Sequence, residues 1–184
     1  TDFIQLETQT PGAENSQPII PDVVINEIYY KAVNENDALY EYIELFNRSS
    51  KTIYLYDENN PSNTWRLEGG IEYIFPEGAS IPSGGHLLIT RTDPEIFRYL
   101  NNLSSDVLIY GPYANSLDND KDTIHLKVPG KPDVGFTPYI ISESISYSDG
   151  SDSNGIDLWP NEPDSLEAFS LHRKSVKSFA NNPL

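Results

Sequence analysis

Two acids stand where the sequence is otherwise apolar. Glu27 lies in Val24-Ile25-Asn26-Glu27-Ile28, and Glu44 lies in Ile43-Glu44-Leu45. If these segments pair as strands, the carboxylates can face one another and share a cation or act as an acid–base pair. Alternation along a strand offers another reading, in which either acid turns to solvent or accepts backbone or arginine hydrogen bonds. A second set of oxygens sits in turn-forming sequence: Asp118, Asp120 and Asp122 in one segment, Asp149, Asp152 and Asp157 in another. Calcium takes about six to eight such hard ligands, so it is the ion these loops would bind. Neither loop has EF-hand spacing, and aspartate in turns also serves backbone conformation alone. No other cofactor is expected.

His86, His125 and His172 are far apart and lack the close spacing of a zinc motif, so they read as ordinary strand residues. No G-x-S-x-G elbow is present. Gly69-Gly70 and Gly84-Gly85 read as hairpin turns, because neither opens a helix that would hold phosphate. The absence of cysteine removes disulfides, thiolate metal sites and a cysteine nucleophile. Aromatic residues are the remaining candidates. Trp65 reads as a core plug, whereas Trp159 sits in a polar loop. With Tyr110, Tyr113 and Tyr147, Trp159 would make an aromatic platform for sugar or protein; otherwise it packs under its own loop.

The elements that must position these residues are short. Apolar or aromatic runs at 23–30, 40–47, 52–56, 64–67, 73–75, 86–90, 107–110, 123–128, 139–147 and 166–171 are separated by Gly, Pro, Asn and Asp clusters. Short strands with dense turn chemistry imply an all-β, antiparallel sandwich. One segment departs from this rhythm: Asp93 as N-cap, Pro94 at the first turn, then Ile96, Phe97 and Leu100 predict a short helix over one end of the sandwich. At 184 residues, with 38% hydrophobic content, the chain can bury a core without staples. Residues 1–21 read as an extended segment and linker, and 22–184 as one sandwich domain.

The order of the motifs resembles the lamin tail domain family, whose fold is an immunoglobulin-like β-sandwich. Val24-Ile25-Asn26-Glu27-Ile28 looks like the family's first strand, and Tyr40-Glu41-Tyr42-Ile43-Glu44-Leu45-Phe46-Asn47 like its second. Thr64-Trp65-Arg66-Leu67 is similar to the "GWxL" strand, with Thr64 in place of glycine. Phe75-Pro76-Glu77-Gly78 with Ile81-Pro82-Ser83-Gly84-Gly85 resembles the central signature. Asn115-Ser116-Leu117 with Asp122-Thr123-Ile124-His125-Leu126, and then Ile145-Ser146-Tyr147 and Ser165-Leu166-Glu167, resemble the late strands. Ser142-Glu143-Ser144 replaces the aspartate that often precedes the "VSY"-like strand. The family's strands carry Glu27 and Glu44 without general chemistry, which marks them as structural acids.

The resemblance implies a non-catalytic binding or spacer module of a larger secreted or cell-surface bacterial protein, contacting other protein modules, surface components or glycan. The rival classes are a structural or adhesin subunit and a cation-dependent hydrolase using Glu27, Glu44 and the acidic loops. A net charge of -16, from 28 acids against 12 bases, repels phosphate backbones and argues against nucleic acid. No apolar run approaches the ~20 residues of a membrane-spanning helix. The chain begins at Thr1 without methionine, and Thr10-Pro11-Gly12-Ala13-Glu14-Asn15 resembles the ending of such a module. A piece cut from a longer protein, starting with the tail of a preceding module, is therefore expected.

Overall fold

Strand-forming and turn-forming residues alternate at short intervals, and the elements follow them. The computed structural model describes residues 7–16, 19–32, 36–149 and 169–175. In order these form β1 (Val23–Lys31), α1 (Asp37–Tyr40), β2 (Tyr42–Asn47), β3 (Ile53–Tyr54), β4 (Tyr56–Asp57) and β5 (Asn60–Thr64). Next come β6 (Arg66–Gly69), β7 (Ile71–Ile74), β8 (Ser80–Ile81), β9 (His86–Thr90) and α2 (Pro94–Leu100). The chain continues through β10 (Ile109–Tyr110), β11 (Ala114–Asn115), β12 (Lys121–Pro129), β13 (Tyr139–Ser148) and β14 (Phe169–His172).

Two five-stranded sheets carry the fold, ordered β10-β9-β2-β1-β14 and β11-β7-β6-β12-β13, with β3-β8 and β4-β5 as small ribbons. This is the mostly antiparallel sandwich that the strand punctuation and the family resemblance imply. Among the described residues, only β10 runs parallel to its neighbour, β9. Every second residue of each central strand points inward, as the pleat requires. From the first sheet come Val23, Ile25, Ile28, Tyr30, Ile43, Leu45, Leu87 and Ile89; Leu67, Ile71, Ile124, Leu126, Ile145 and Tyr147 meet them from the second. Each such fully buried side chain stabilises the fold by about 1.5–3 kcal/mol relative to exposure.

Three sequence expectations change. The run 52–56 splits into β3 and β4 because Leu55 between them is fully buried, its N–H donating to the Ala79 carbonyl and its carbonyl accepting from Trp65. Trp65 is only partly buried, packed against the margin of the core rather than plugging it. The helix forms as expected, with the Asp93 carboxylate accepting from the N–H groups of Glu95 and Ile96. It lies, however, on the outer face of the first sheet, not over one end. Phe97 packs there with Leu88 and Ile109 in a second, smaller apolar cluster, while Ile96 and Leu100 remain exposed.

Gly69 ends β6 at φ +113°, and a Cβ there would stand 2.1 Å from the Thr123 carbonyl oxygen of β12. Gly69→Ala should therefore lower stability by more than about 1 kcal/mol. A urea-unfolding midpoint matching the parent's would refute this close approach.

Candidate functional site

The bulge that places Asn26 as an extra residue in β1 sets Glu27 directly opposite Glu44 of β2 on the outer face of the first sheet. The adjacent strands bring a histidine to each acid. His172 Nε2 lies 3.0 Å from Glu27 Oε1, and His86 Nδ1 lies 2.9 Å from Glu44 Oε1. Asn26 Nδ2 donates to the same Glu44 oxygen at 2.7 Å. Tyr42, next along β2, stacks on Tyr29 and meets Phe97 of α2 edge-on, with ring centroids 5.3 and 5.6 Å apart. Burial first, then the hydrogen-bonded Glu27 carboxylate, push the pKa of the Tyr42 hydroxyl up and keep it a donor. Both acids are half-buried, whereas the side chains of His86 and His172 are 51% and 63% exposed.

Beside this row, α2 and the segment after it stand off the sheet and leave a cleft of about 280 Å³. Leu88, Phe97, Leu103 and Val107 give it an apolar lining, which Tyr42, Glu44, His86 and Asn101 complete. It is mainly apolar, with a carboxylate, an imidazole and an amide among its lining groups. That composition suits the recognition of a side chain or small group more than bond-breaking chemistry.

The most deeply buried acids are others. Glu41, just before β2, is fully buried and accepts from Tyr113 Oη at 2.5 Å, the Leu117 N–H at 2.6 Å and Arg91 Nη1 at 3.0 Å. Burial raises its pKa against the pull of those donors. Glu143 of β13 reaches across the sandwich, accepting from the Ile25 N–H at 2.5 Å and pairing with Arg173, and burial raises its pKa too. Arg173 also donates from Nε to the Ile25 carbonyl at 2.9 Å. Neither acid is among the site residues that the sequence predicts. Only the unusual Ser142-Glu143-Ser144 in place of the family's aspartate marked Glu143 in the sequence.

The expected aromatic platform does not assemble from its tyrosines. Tyr113 and Tyr147 are buried in the core, and their hydroxyls bond to Glu41 and to the Asp118 carbonyl. Tyr110 is half-buried and packs against the same core. Trp159, Asp152 and Asp157 lie outside the described residues. Asp118, Asp120 and Asp122 fall at the turn into β12, where the carboxylates of Asp118 and Asp122 accept from the backbone. Asp118 Oδ1 accepts from the Asp120 N–H, and Asp122 accepts from the N–H groups of Asp118 and Thr123. Asp149 closes that turn by donating its N–H to the Asp120 carbonyl. Among the described residues, no three His, Asp or Glu side chains converge to hold a metal ion.

The model of one family, Lamin Tail Domain, matches residues 16–150 of this sequence. The chain belongs to the lamin tail domain family. Such domains are generally non-catalytic immunoglobulin-like modules. A search of curated proteins found no match. In this lamin tail domain the match takes in β1 to β13, so β14 and with it His172 and Arg173 lie beyond the matched residues.

Because burial raises the Glu41 pKa above its ordinary 4.5, the folded state takes up a proton there that the unfolded chain has released. Stability from this group is therefore highest in acid and falls as pH rises from about 4.5 through the raised value. The Glu41→Gln variant should gain stability relative to the parent over that interval. Parallel unfolding curves between pH 4 and 7 would check it, and a parent that gains on the variant with rising pH would reverse the sign.

Proposed function

We propose that this lamin tail domain is a non-catalytic binding module of a larger secreted or cell-surface bacterial protein, making protein contacts through the outer face of its first sheet. The observation that carries this is the cleft beneath α2, lined by the half-buried Glu44 and its exposed partner His86. There an apolar lining and polar groups meet, whereas Glu41 and Glu143 are fully engaged inside the sandwich. Glycan is a less suitable ligand, since two of the tyrosines that would stack on a sugar are in the core. The acidic turn 118–122 is assigned no ion in this reading. Nucleic acid is disfavoured by the -16 charge, and no helix among the described residues is long and apolar enough to cross a membrane. Export and attachment to a larger protein rest on the family resemblance.

The rival hydrolase would use Glu27 and Glu44, which face one another but are each held by their own donors. Chromogenic ester, phosphodiester and glycoside substrates, offered with calcium or magnesium, should show no turnover attributable to these acids. Turnover that disappears in the Glu27→Gln/Glu44→Gln double variant would end the module reading.

A structural subunit of a surface assembly is the second reading, favoured by the hairpin tip between β12 and β13. There Val134 is 99% exposed and Phe136 is exposed too, and Ile140 and Ile141 are exposed near the start of β13. Under this second reading, sedimentation would find the parent assembled and a Val134→Ser/Phe136→Ser variant monomeric. A parent that sediments as a monomer at high concentration argues for the binding module instead.

A further inference from the structure

We propose that the cleft beneath α2 receives a lysine or arginine side chain from a partner protein, its aliphatic stem on the apolar lining and its cationic head beside Glu44. This rests on the reading of the chain as a binding module and names the chemistry of its ligand. Size is the first argument. About 280 Å³ falls at or below the ~300–1,000 Å³ of pockets for drug-sized molecules, so one long side chain is a better match than a large ligand.

Polarity is the second. Four of the residues lining the cleft, Leu88, Phe97, Leu103 and Val107, are apolar, so it takes methylenes, while Glu44 and Asn101 in the same lining offer oxygen acceptors to an ammonium or guanidinium head. Arginine and lysine are the residues that combine both requirements.

Charge is the third argument and excludes the alternatives. Like charges directly opposite across an antiparallel pair repel, and Glu27 and Glu44 are such a pair. Among the described residues neither carboxylate has a lysine or arginine partner; each has a histidine, and Glu44 also has the Asn26 amide. A fixed cation arriving at Glu44 relieves that repulsion, which an apolar side chain filling the same cleft does not. An anionic group meets two carboxylates in a molecule of net charge -16 and is turned away.

The test is a nitrogen-15 NMR titration of the whole chain with two capped pentapeptides of glycine and serine, identical except for a central lysine or norleucine. The lysine peptide should give saturable shifts centred on Tyr42, Glu44, Leu88, Leu103 and Val107. Norleucine keeps the stem and removes the charge, so its peptide should bind at least about tenfold more weakly, as a lost charge-assisted hydrogen bond predicts. Glu44→Gln, nearly isosteric, should abolish the preference for lysine, and Val107→Trp should block both peptides by filling the cleft. Spectra of the two variants that overlay the parent's away from the cleft establish that they fold. Equal binding of the two peptides, lysine binding unchanged by Glu44→Gln, or shifts centred on the acidic turn 118–122 would each overturn the proposal. If the peptide fails and no turnover is found, the module reading stands without its cationic ligand; turnover lost in the double variant removes the module reading whatever the peptide does.

Discussion

A carboxylate taken into a sandwich interior must be met by donors from whatever surrounds it, and Glu41 imposes that condition on this molecule. Its three donors lie 50 to 76 residues further along the chain: Arg91 follows β9, while Tyr113 and Leu117 stand on either side of β11 of the second sheet. Leaving one side of a buried ion pair unmatched costs on the order of 3–5 kcal/mol, so the crossing segment has one favourable path. Glu143 repeats the device from the opposite sheet, reaching the β1 bulge at Ile25 and drawing Arg173 in beside it. Two buried acids thus connect the layers that the apolar core only presses together.

With the interior closed in this way, recognition is left to the outer faces, and the pleat decides which residues reach them. Ile43 and Leu45 point into the core, so Tyr42, Glu44 and Phe46 between them must point out. The bulge at Asn26 shifts the register of β1 by one residue and brings Glu27 level with Glu44 rather than past it. Phe97 then anchors α2 over Leu88, and the standoff between helix and sheet opens the cleft. A helix too short to be stable alone is held here by one buried ring and the Asp93 cap.

The strand β14 lies beyond the residues that the family model matches. β14 adds to the free edge of β1, supplying His172 to Glu27 and delivering Arg173 to Glu143. An edge strand left open is a template for unwanted pairing, and β14 covers one. The same few residues therefore cap a sheet, neutralise a buried acid and complete the polar row on the outer face.

Strand rhythm, the all-β class and the helix at Asp93-Pro94 were legible in the sequence because they depend on local chemistry: β-branched runs, turn residues and a capping aspartate. The opposition of Glu27 and Glu44 was legible as one of two outcomes, since alternation allows either face and pairing register selects between them. Tyr113 and Tyr147 read as surface aromatics because an isolated sequence cannot show that their hydroxyls meet Glu41 and the Asp118 carbonyl inside the core. Glu41 and Glu143 resemble any other strand acids until distant donors converge on them. The sequence by itself determined which residues could form strands, turns and a short helix, and that no thiol chemistry was available. Only the tertiary structure decided which acids would be buried and which exposed, because burial depends on contacts between segments that sequence separation hides.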